Sequence, residues 1–312
     1  MNPTIDKNSG VDHVVPERKL RCKQPHFEPG GGGINVSRAI QELGGKSDAY
    51  YVSGGASGKS LQQLLNEEGI DNHPIPIEGW TRENLTIYEG ETKQQFRFGM
   101  PGPKLREKEW KQCLDILYDA TPRPDYIVAS GSLPPGVPED FYARVAKAAK
   151  KLHAKMILDT SGTPLVRAVQ EKGLFLIKPN MRELKALTTD EIEDEAQQET
   201  LLREIVQSGQ SEAVVLSLGR GGSRMAWREG CEYVRTPTVP IKSKVGAGDS
   251  MVGGLVLSLA QGHSLRDAVG FGVAAGAAAV MTPGTQLCRK EDTKKLHAQI
   301  TQQACKAEEG VE

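Results

Sequence analysis

The residues with the clearest chemical content are Val245-Gly246-Ala247-Gly248-Asp249-Ser250, where an acid follows small residues at the head of an apolar run, 251–260. Small residues at a helix start leave backbone N–H groups open to a ligand. Those groups, together with the helix dipole, suit an anion. A carboxylate beside such a hole would be repelled by a bound phosphate if capping were its only task. Asp249 therefore reads as a general base that takes a proton from a hydroxyl while the neighbouring amides stabilise a phosphoryl group. The plainer alternative is an ordinary acid in the first turn of a helix.

Three further clusters carry chemistry. Gly30-Gly31-Gly32-Gly33-Ile34-Asn35 leads into a helical pattern over 36–43 that ends at Gly44-Gly45. A glycine run lets a ligand approach the backbone, and the Asn35 amide can both donate to and accept from sugar hydroxyls; a flexible turn is the alternative. Ser217-Leu218-Gly219-Arg220-Gly221-Gly222 follows a buried strand, a place for a nucleotide or for a plain turn between strands. In Lys178-Pro179-Asn180 with Glu183, the acid stands at capping-box spacing if Asn180 starts a helix. The functional alternative puts Glu183 near a metal–phosphate complex through water, because Mg²⁺ keeps several of its waters.

Two motifs are decoys. Gly54-Gly55-Ala56-Ser57-Gly58-Lys59-Ser60 resembles a phosphate-binding P-loop, but only three residues separate Gly54 from Gly58, one short of the loop that wraps a phosphate. Gly270-Phe271-Gly272-Val273-Ala274-Ala275 fits a dinucleotide fingerprint yet lies inside an apolar helical run rather than after a strand, so helix packing explains it better. No pair among the six histidines has metal-ligand spacing, and the five cysteines are scattered with no CxxC, which fits a reducing cytoplasm.

The elements that must position these clusters alternate. Strand-like runs at 48–53, 125–130, 155–159, 174–177 and 213–218 alternate with helix-like runs at 59–68, 139–152, 199–208, 251–260 and 265–280. That order predicts a parallel sheet covered on both faces, with ligands at the carboxyl ends of its strands. Two short polar β-like segments, 19–27 and 85–98, stand apart as a lid or an extra hairpin. The chain opens on a turn-like stretch, Asn2-Pro3-Thr4-Ile5-Asp6, with no buried strand before it. Thirty-nine basic residues against 40 acidic ones, a net charge of −1, argue against bulk nucleic-acid binding. No apolar run approaches the ~20 residues of a membrane span, and residues 1–10 carry no signal-peptide core.

The order of the clusters, with Gly131-Ser132-Leu133-Pro134-Pro135-Gly136 between them, resembles the ribokinase-like (PfkB) family of sugar kinases across essentially the whole chain. Carrying the likeness are Lys19-Leu20-Arg21-Cys22, Glu28 through Val36, Trp80-Thr81-Arg82 and Gly246 through Gly253. The resemblance implies a single α/β domain over 1–312, built as a three-layer α/β/α sandwich with a mostly parallel central sheet. A small β-sheet lid, about 11–29 and 84–101, would also form a homodimer interface. It implies ATP-dependent phosphorylation of fructose 6-phosphate at the 1-hydroxyl, with Mg²⁺ and K⁺ as cations. Kinases for tagatose 6-phosphate or fructose 1-phosphate, or a weak sugar-phosphate and nucleotide binder, are the rival readings.

By position, Asp249 matches the family's base, and Gly246, Ala247 and Gly248 its anion hole. Asp6, Gly31, Gly32, Asn35, Arg82 and Ser132 match sugar-phosphate contacts; Lys19 and Arg21 match lid positions, with Arg21 reaching the partner's site. Lys178, Asn180, Ser217, Gly219 and Gly222 match nucleotide contacts, and Glu183 the acid linked to Mg²⁺ through water. Ser243, Val245, Ala279, Thr282, Gly284 and Gln286 match a monovalent-cation loop. Two departures fall there: Lys244 replaces the usual Thr, and Gln286 stands where near relatives have Arg, so the Lys ammonium is expected to disfavour or replace K⁺. The family also has a strand before the segment matching Asn2–Asp6, so an open sheet edge and a displaced Asp6 are expected.

Overall fold

The structure, a computed structural model, describes residues 1–309. In chain order it begins with β1 (Thr4–Val11), β2 (His26–Gly30), α1 (Gly32–Glu42), β3 (Asp48–Ser53), α2 (Gly55–Glu67) and β4 (Asp71–Pro76). It continues through β5 (Arg82–Glu89), β6 (Gln95–Phe98), α3 (Glu107–Asp119), β7 (Tyr126–Ser130), α4 (Phe141–Leu152), β8 (Lys155–Asp159), α5 (Thr163–Glu171) and β9 (Leu174–Ile177). The remaining elements are α6 (Met181–Lys185), α7 (Glu195–Gln207), β10 (Ser211–Ser217), β11 (Ser223–Trp227), β12 (Gly230–Val234), α8 (Ala247–Ala260), α9 (Leu265–Val280) and α10 (Lys290–Glu309).

The main sheet has the order β12-β11-β10-β9-β8-β7. β7 through β10 run parallel, and β11 and β12 extend the sheet as antiparallel strands. The strand sequences explain the layering. Side chains alternate between faces along a strand, and here both faces are apolar. Ile157, Leu176, Ala213 and Val215 share one core with α1, α8, α9 and α10. Met156, Leu158, Leu174, Ile177, Val214 and Leu216 share the other with α3, α4, α5 and α7. Strands apolar on both faces require helices on both sides, which gives the expected α/β/α sandwich.

Several boundaries differ from the sequence reading. α2 starts at Gly55 and α8 at Ala247, four residues before the apolar runs that announced them, because glycine, alanine and serine make a first turn without adding to the periodic signal. Of the β-like stretch 19–27 only the end enters a strand, β2, whereas 85–98 forms parts of two, β5 and β6. The opening differs most. Residues 4–6, read as a turn, begin the eight-residue strand β1, which joins the small sheet β2-β1-β5-β6. β3 and β4 form a separate parallel pair. Val52 of β3 and Ile127 and Ala129 of β7 lie in one core, yet those two strands do not pair, so the central layer is interrupted there. The open edge is present, but Asp6 is not loose: it pairs with Glu28 across β1–β2 and with Asn84 across β1–β5. Among the described residues no helix is long and apolar enough to cross a membrane.

α8 and α9 pack at backbone range. A Cβ on Gly272 would stand 2.7 Å from the Met251 carbonyl oxygen and 3.0 Å from Leu255 Cβ. Gly272→Ala should therefore destabilise the fold by about 1–3 kcal/mol, the usual cost of overpacking. A lower urea midpoint with an unchanged slope is the expected measurement.

Candidate active site

The predicted clusters converge at the carboxyl ends of the parallel strands. β7 runs into Gly131-Ser132, β8 ends on Asp159, β9 runs into Lys178-Pro179-Asn180, and β10 ends on Ser217 before a single 3-10 turn at Gly219–Gly221. The amino ends of α1 and α8 meet over them.

Asp249 lies in the first turn of α8 and Asn35 in that of α1, and Asn35 Nδ2 donates to Asp249 Oδ2 at 2.8 Å. Burial pushes the Asp249 carboxyl up to about 6; the Asn35 hydrogen bond opposes that shift, and the charges of Asp159 and Asp6 add to it. This is a base poised near neutrality rather than a fully solvated first-turn acid. Gly246 adopts φ 75°, a left-handed conformation that glycine adopts freely, and a Cβ there would meet Leu287 Cδ2 at 2.6 Å. A Cβ on Gly248 would lie 3.8 Å from Lys178 Nζ, so the first-turn amides of α8 and a buried ammonium face the same space.

Lys178 Nζ pairs with Asp159 Oδ1 at 3.1 Å. Burial alone would lower the ammonium, but Asp159, with Glu183 and Asp249 beyond it, outweighs that and holds Lys178 above its ordinary value, fully charged. Asn180 and Glu183 form the capping box of α6: Glu183 N donates to Asn180 Oδ1 at 3.0 Å, and Asn180 N donates to Glu183 Oε2 at 2.9 Å. Both readings of Glu183 therefore coexist. Its Oε2 caps the helix and its Oε1 stays free, while burial, with Asp159 adding, raises the carboxyl despite the backbone hydrogen bond. Ser217 N donates to the Pro179 carbonyl at 2.8 Å, which places the turn at Gly219–Gly222 beside Asn180. Gly222 has φ 99°, and a Cβ there would run into the Val234 carbonyl.

The opposite wall comes from the small sheet. Asn84 Nδ2 donates to Asp6 Oδ1 at 2.9 Å. Arg82 donates to the carbonyls of Asn2 and Met100 at 3.0 Å each and of Pro3 at 3.4 Å. Asn2 Nδ2 also donates to Ser132 Oγ at 3.0 Å. Gly31 and Gly32 bring α1 against β7: a Cβ on Gly32 would collide with Ser130 Oγ and stand 2.9 Å from Gly131 N. Lys19 and Arg21 are exposed on the β1–β2 connection and make no hydrogen bond or ion pair among the described residues; the structure does not bring them to Asp249.

Ser243, Val245, Ala279, Thr282, Gly284 and Gln286 do come together. Ser243 Oγ donates to the Gly284 carbonyl at 2.6 Å and accepts from Val245 N at 3.2 Å; Thr282 Oγ1 lies 2.7 Å from the carbonyls of both Ala279 and Gln286. Hydroxyls and carbonyls from two segments are hard oxygen donors, a set that fits a large monovalent cation. The Lys244 and Gln286 side chains are exposed rather than enclosed by this loop, so the feared ammonium does not fill it. Among the described residues no three His, Cys, Asp or Glu side chains form a metal cage, and the acids present, Asp159 and Glu183, suit Mg²⁺ carried largely by phosphate and water.

Sequence reasoning missed Asp159, Asn84 and Asn2. The signal for Asp159 was available: an acid closing a parallel strand stands where ligands gather. Asn84 and Asn2 act through pairings with distant residues that no local pattern encodes. Tyr142 and Thr160 were also missed; both hydroxyls donate to the Gly131 carbonyl, at 2.8 and 2.9 Å, and fix the turn that presents Ser132.

A desolvated acid beside an anion-binding helix head, at the strand ends of an α/β sandwich, defines a phosphotransferase of the ribokinase type. The sequence agrees: the model for pfkB family carbohydrate kinases matches residues 2–292, and the chain belongs to that family. It is 42% identical over 296 residues to the ATP-dependent 6-phosphofructokinase isozyme 2 of Mycobacterium tuberculosis, covering 95% of this chain and 87% of that protein. Its fold superimposes on phosphofructokinase-2 from Escherichia coli in complex with potassium (TM-score 0.92, 41% identity, 96% of this chain and 97% of that one). The same enzyme in complex with fructose-6-phosphate gives a TM-score of 0.90 at 40% identity, again over 96% and 97% of the two chains.

Because the Asn35 amide holds the Asp249 carboxyl down, Asn35→Ala should move its titration midpoint above about 6. Carboxyl carbon shifts of Asp249 followed by NMR against pH would show this, and an unmoved midpoint would contradict the assignment.

Proposed function

We propose that this protein is an ATP-dependent fructose-6-phosphate 1-kinase. The observation that carries the reading is the partly buried Asp249 carboxylate at the head of α8, held by Asn35 and facing Lys178 across the Gly248 amide. Asp249 takes the proton of the sugar 1-hydroxyl as that oxygen attacks the γ-phosphorus of ATP. The bond from the γ-phosphorus to the bridging oxygen breaks, and fructose 1,6-bisphosphate and ADP leave. The amides of Gly246, Ala247 and Gly248 and the Lys178 ammonium face the negative charge of the migrating group.

On the sugar side, Asp6, oriented by Asn84, accepts from ring hydroxyls, with Asn35 and Ser132 beside it and Gly31 and Gly32 letting the sugar reach the backbone. Arg82 spends one N–H from each of its three nitrogens on carbonyls, so two of its five donors remain for the 6-phosphate, the fork that suits a phosphate. Lys19 and Arg21 would join when the β1–β2 connection folds inward. On the nucleotide side, Asn180, Ser217, Gly219 and Gly222 line the ATP, and Glu183 and Asp159 hold Mg²⁺ through water. When bound, Mg²⁺ neutralises the phosphate oxygens and orients them. The 279–286 loop with Ser243 and Val245 would hold K⁺ behind the anion hole.

The small sheet acts as the lid, shifted from the expected 11–29 and 84–101 to strands within 4–11, 26–30, 82–89 and 95–98. Its exposed Phe27, Tyr88, Phe98 and Met100 suit coverage by a second copy in a homodimer, with Arg21 reaching the partner's site. The four described cysteines are free thiols, which suits a reducing cytoplasm.

ADP release measured with fructose 6-phosphate, tagatose 6-phosphate and fructose 1-phosphate tests the reading. The highest kcat/KM is expected with fructose 6-phosphate, and a higher value with either rival reassigns the substrate. Asp249→Asn should lower kcat by about 10²–10⁴-fold, the range of a lost general base, with nucleotide affinity kept. Near-normal turnover would remove Asp249 from this role.

A further inference from the structure

Along β1, Asp6 and Asn8 lie two residues apart and so share one face of the small sheet with Glu28, the partner of Asp6 on β2. Asn8 Nδ2 donates one hydrogen to Glu28 Oε2 at 2.9 Å and the other to Thr285 Oγ1 at 3.2 Å. Glu28 is 8% exposed and cannot swing away to water. Both hydrogens of the Asn8 amide are thus used, one inside the sheet and one on a residue 277 positions away.

Thr285 belongs to the loop after α9, whose shape is fixed by the Ser243–Gly284 and Thr282–Gln286 hydrogen bonds. Two residues on, Leu287 packs directly beneath Gly246, at the head of α8. Among the described residues, Asn8–Thr285 is the one side-chain hydrogen bond from the small sheet to this loop. The sheet carries Asp6 and Arg82; the loop supports the helix that carries Asp249. The two sides of the site are therefore joined at this point by an amide and a hydroxyl, groups with no place in the chemistry itself.

We propose that Asn8 and Thr285 form a latch that holds the substrate-bearing sheet against the head of α8 and thereby sets the affinity for the sugar phosphate. Both are positioning residues. The latch acts on the closed state, so its loss weakens sugar-phosphate binding without touching the phosphoryl-transfer step or the nucleotide wall. The inference rests on the kinase reading above.

The test is a double-mutant cycle in the full chain. Asn8→Ala and Thr285→Val should each raise KM for fructose 6-phosphate about three- to ten-fold, the effect of one hydrogen bond, and leave kcat and KM for ATP within about two-fold. The double variant should be no worse than either single one, because both remove the same contact. Thr285→Ser, which keeps the hydroxyl, should behave as the unaltered protein. Multiplicative effects in the double variant, an unchanged KM, or a fall in kcat matching that in kcat/KM would overturn the latch.

A second readout needs no catalysis. In the free protein, backbone amides of 4–11 and 26–30 should exchange with deuterium faster in Thr285→Val than in the unaltered chain, and equal rates would overturn the proposal even if no kinase activity were found. An active enzyme with an additive cycle rejects the latch alone; an inactive one with altered exchange rejects the kinase reading alone.

Discussion

The site depends on a carboxylate kept out of water at the positive end of a helix. Desolvation favours the neutral acid and pushes Asp249 upward, while the Asn35 amide and the Lys178 ammonium favour the charged form and pull it back. The balance lies near neutrality, where a carboxylate is basic enough to accept a proton from an alcohol yet ionised often enough to act. Full exposure would return Asp249 towards an ordinary, weakly basic carboxylate; deeper burial without Asn35 would leave it protonated.

That balance requires two helix heads and four strand ends to meet with very little volume between them. Glycine makes the approach possible at Gly32, where a Cβ would strike Ser130, and at Gly246, whose left-handed backbone starts α8 over Leu287. The acids and the lysine behind them are ordered by the parallel sheet, because β8 and β9 are neighbours and so deliver Asp159 and Lys178 to the same level as an ion pair. Polar hydroxyls from Tyr142 and Thr160 complete the frame by holding the Gly131 carbonyl. Each group is fixed by backbone geometry before any ligand arrives, the condition under which electrostatic stabilisation is most effective.

Much of this was legible in the sequence. The parallel sheet followed from apolar runs such as Leu174-Phe175-Leu176-Ile177, which leave no polar face, and the anion-binding helix head followed from Gly246-Ala247-Gly248-Asp249. Asn35 was picked out as a sugar contact; the structure gives its amide a hydrogen bond to the base, a pairing across 214 residues that no local spacing could reveal. The opening strand escaped because Asp6, Lys7, Asn8 and Ser9 are polar and carry no strand signal. Their order comes from pairing with β2 and β5, and the polar face they form belongs to the site. Helix starts were misplaced wherever small residues formed the first turn, which is also where the chemistry lies.

The central claim is that Asp249 must be ionised for turnover, and the pH dependence of kcat/KM for fructose 6-phosphate tests it most directly. The account predicts an acid limb with unit slope, activity falling about tenfold per pH unit as pH drops below about 6, set by the raised carboxyl of the free enzyme. A profile that stays flat down to pH about 4, the ordinary carboxylate range, would contradict it.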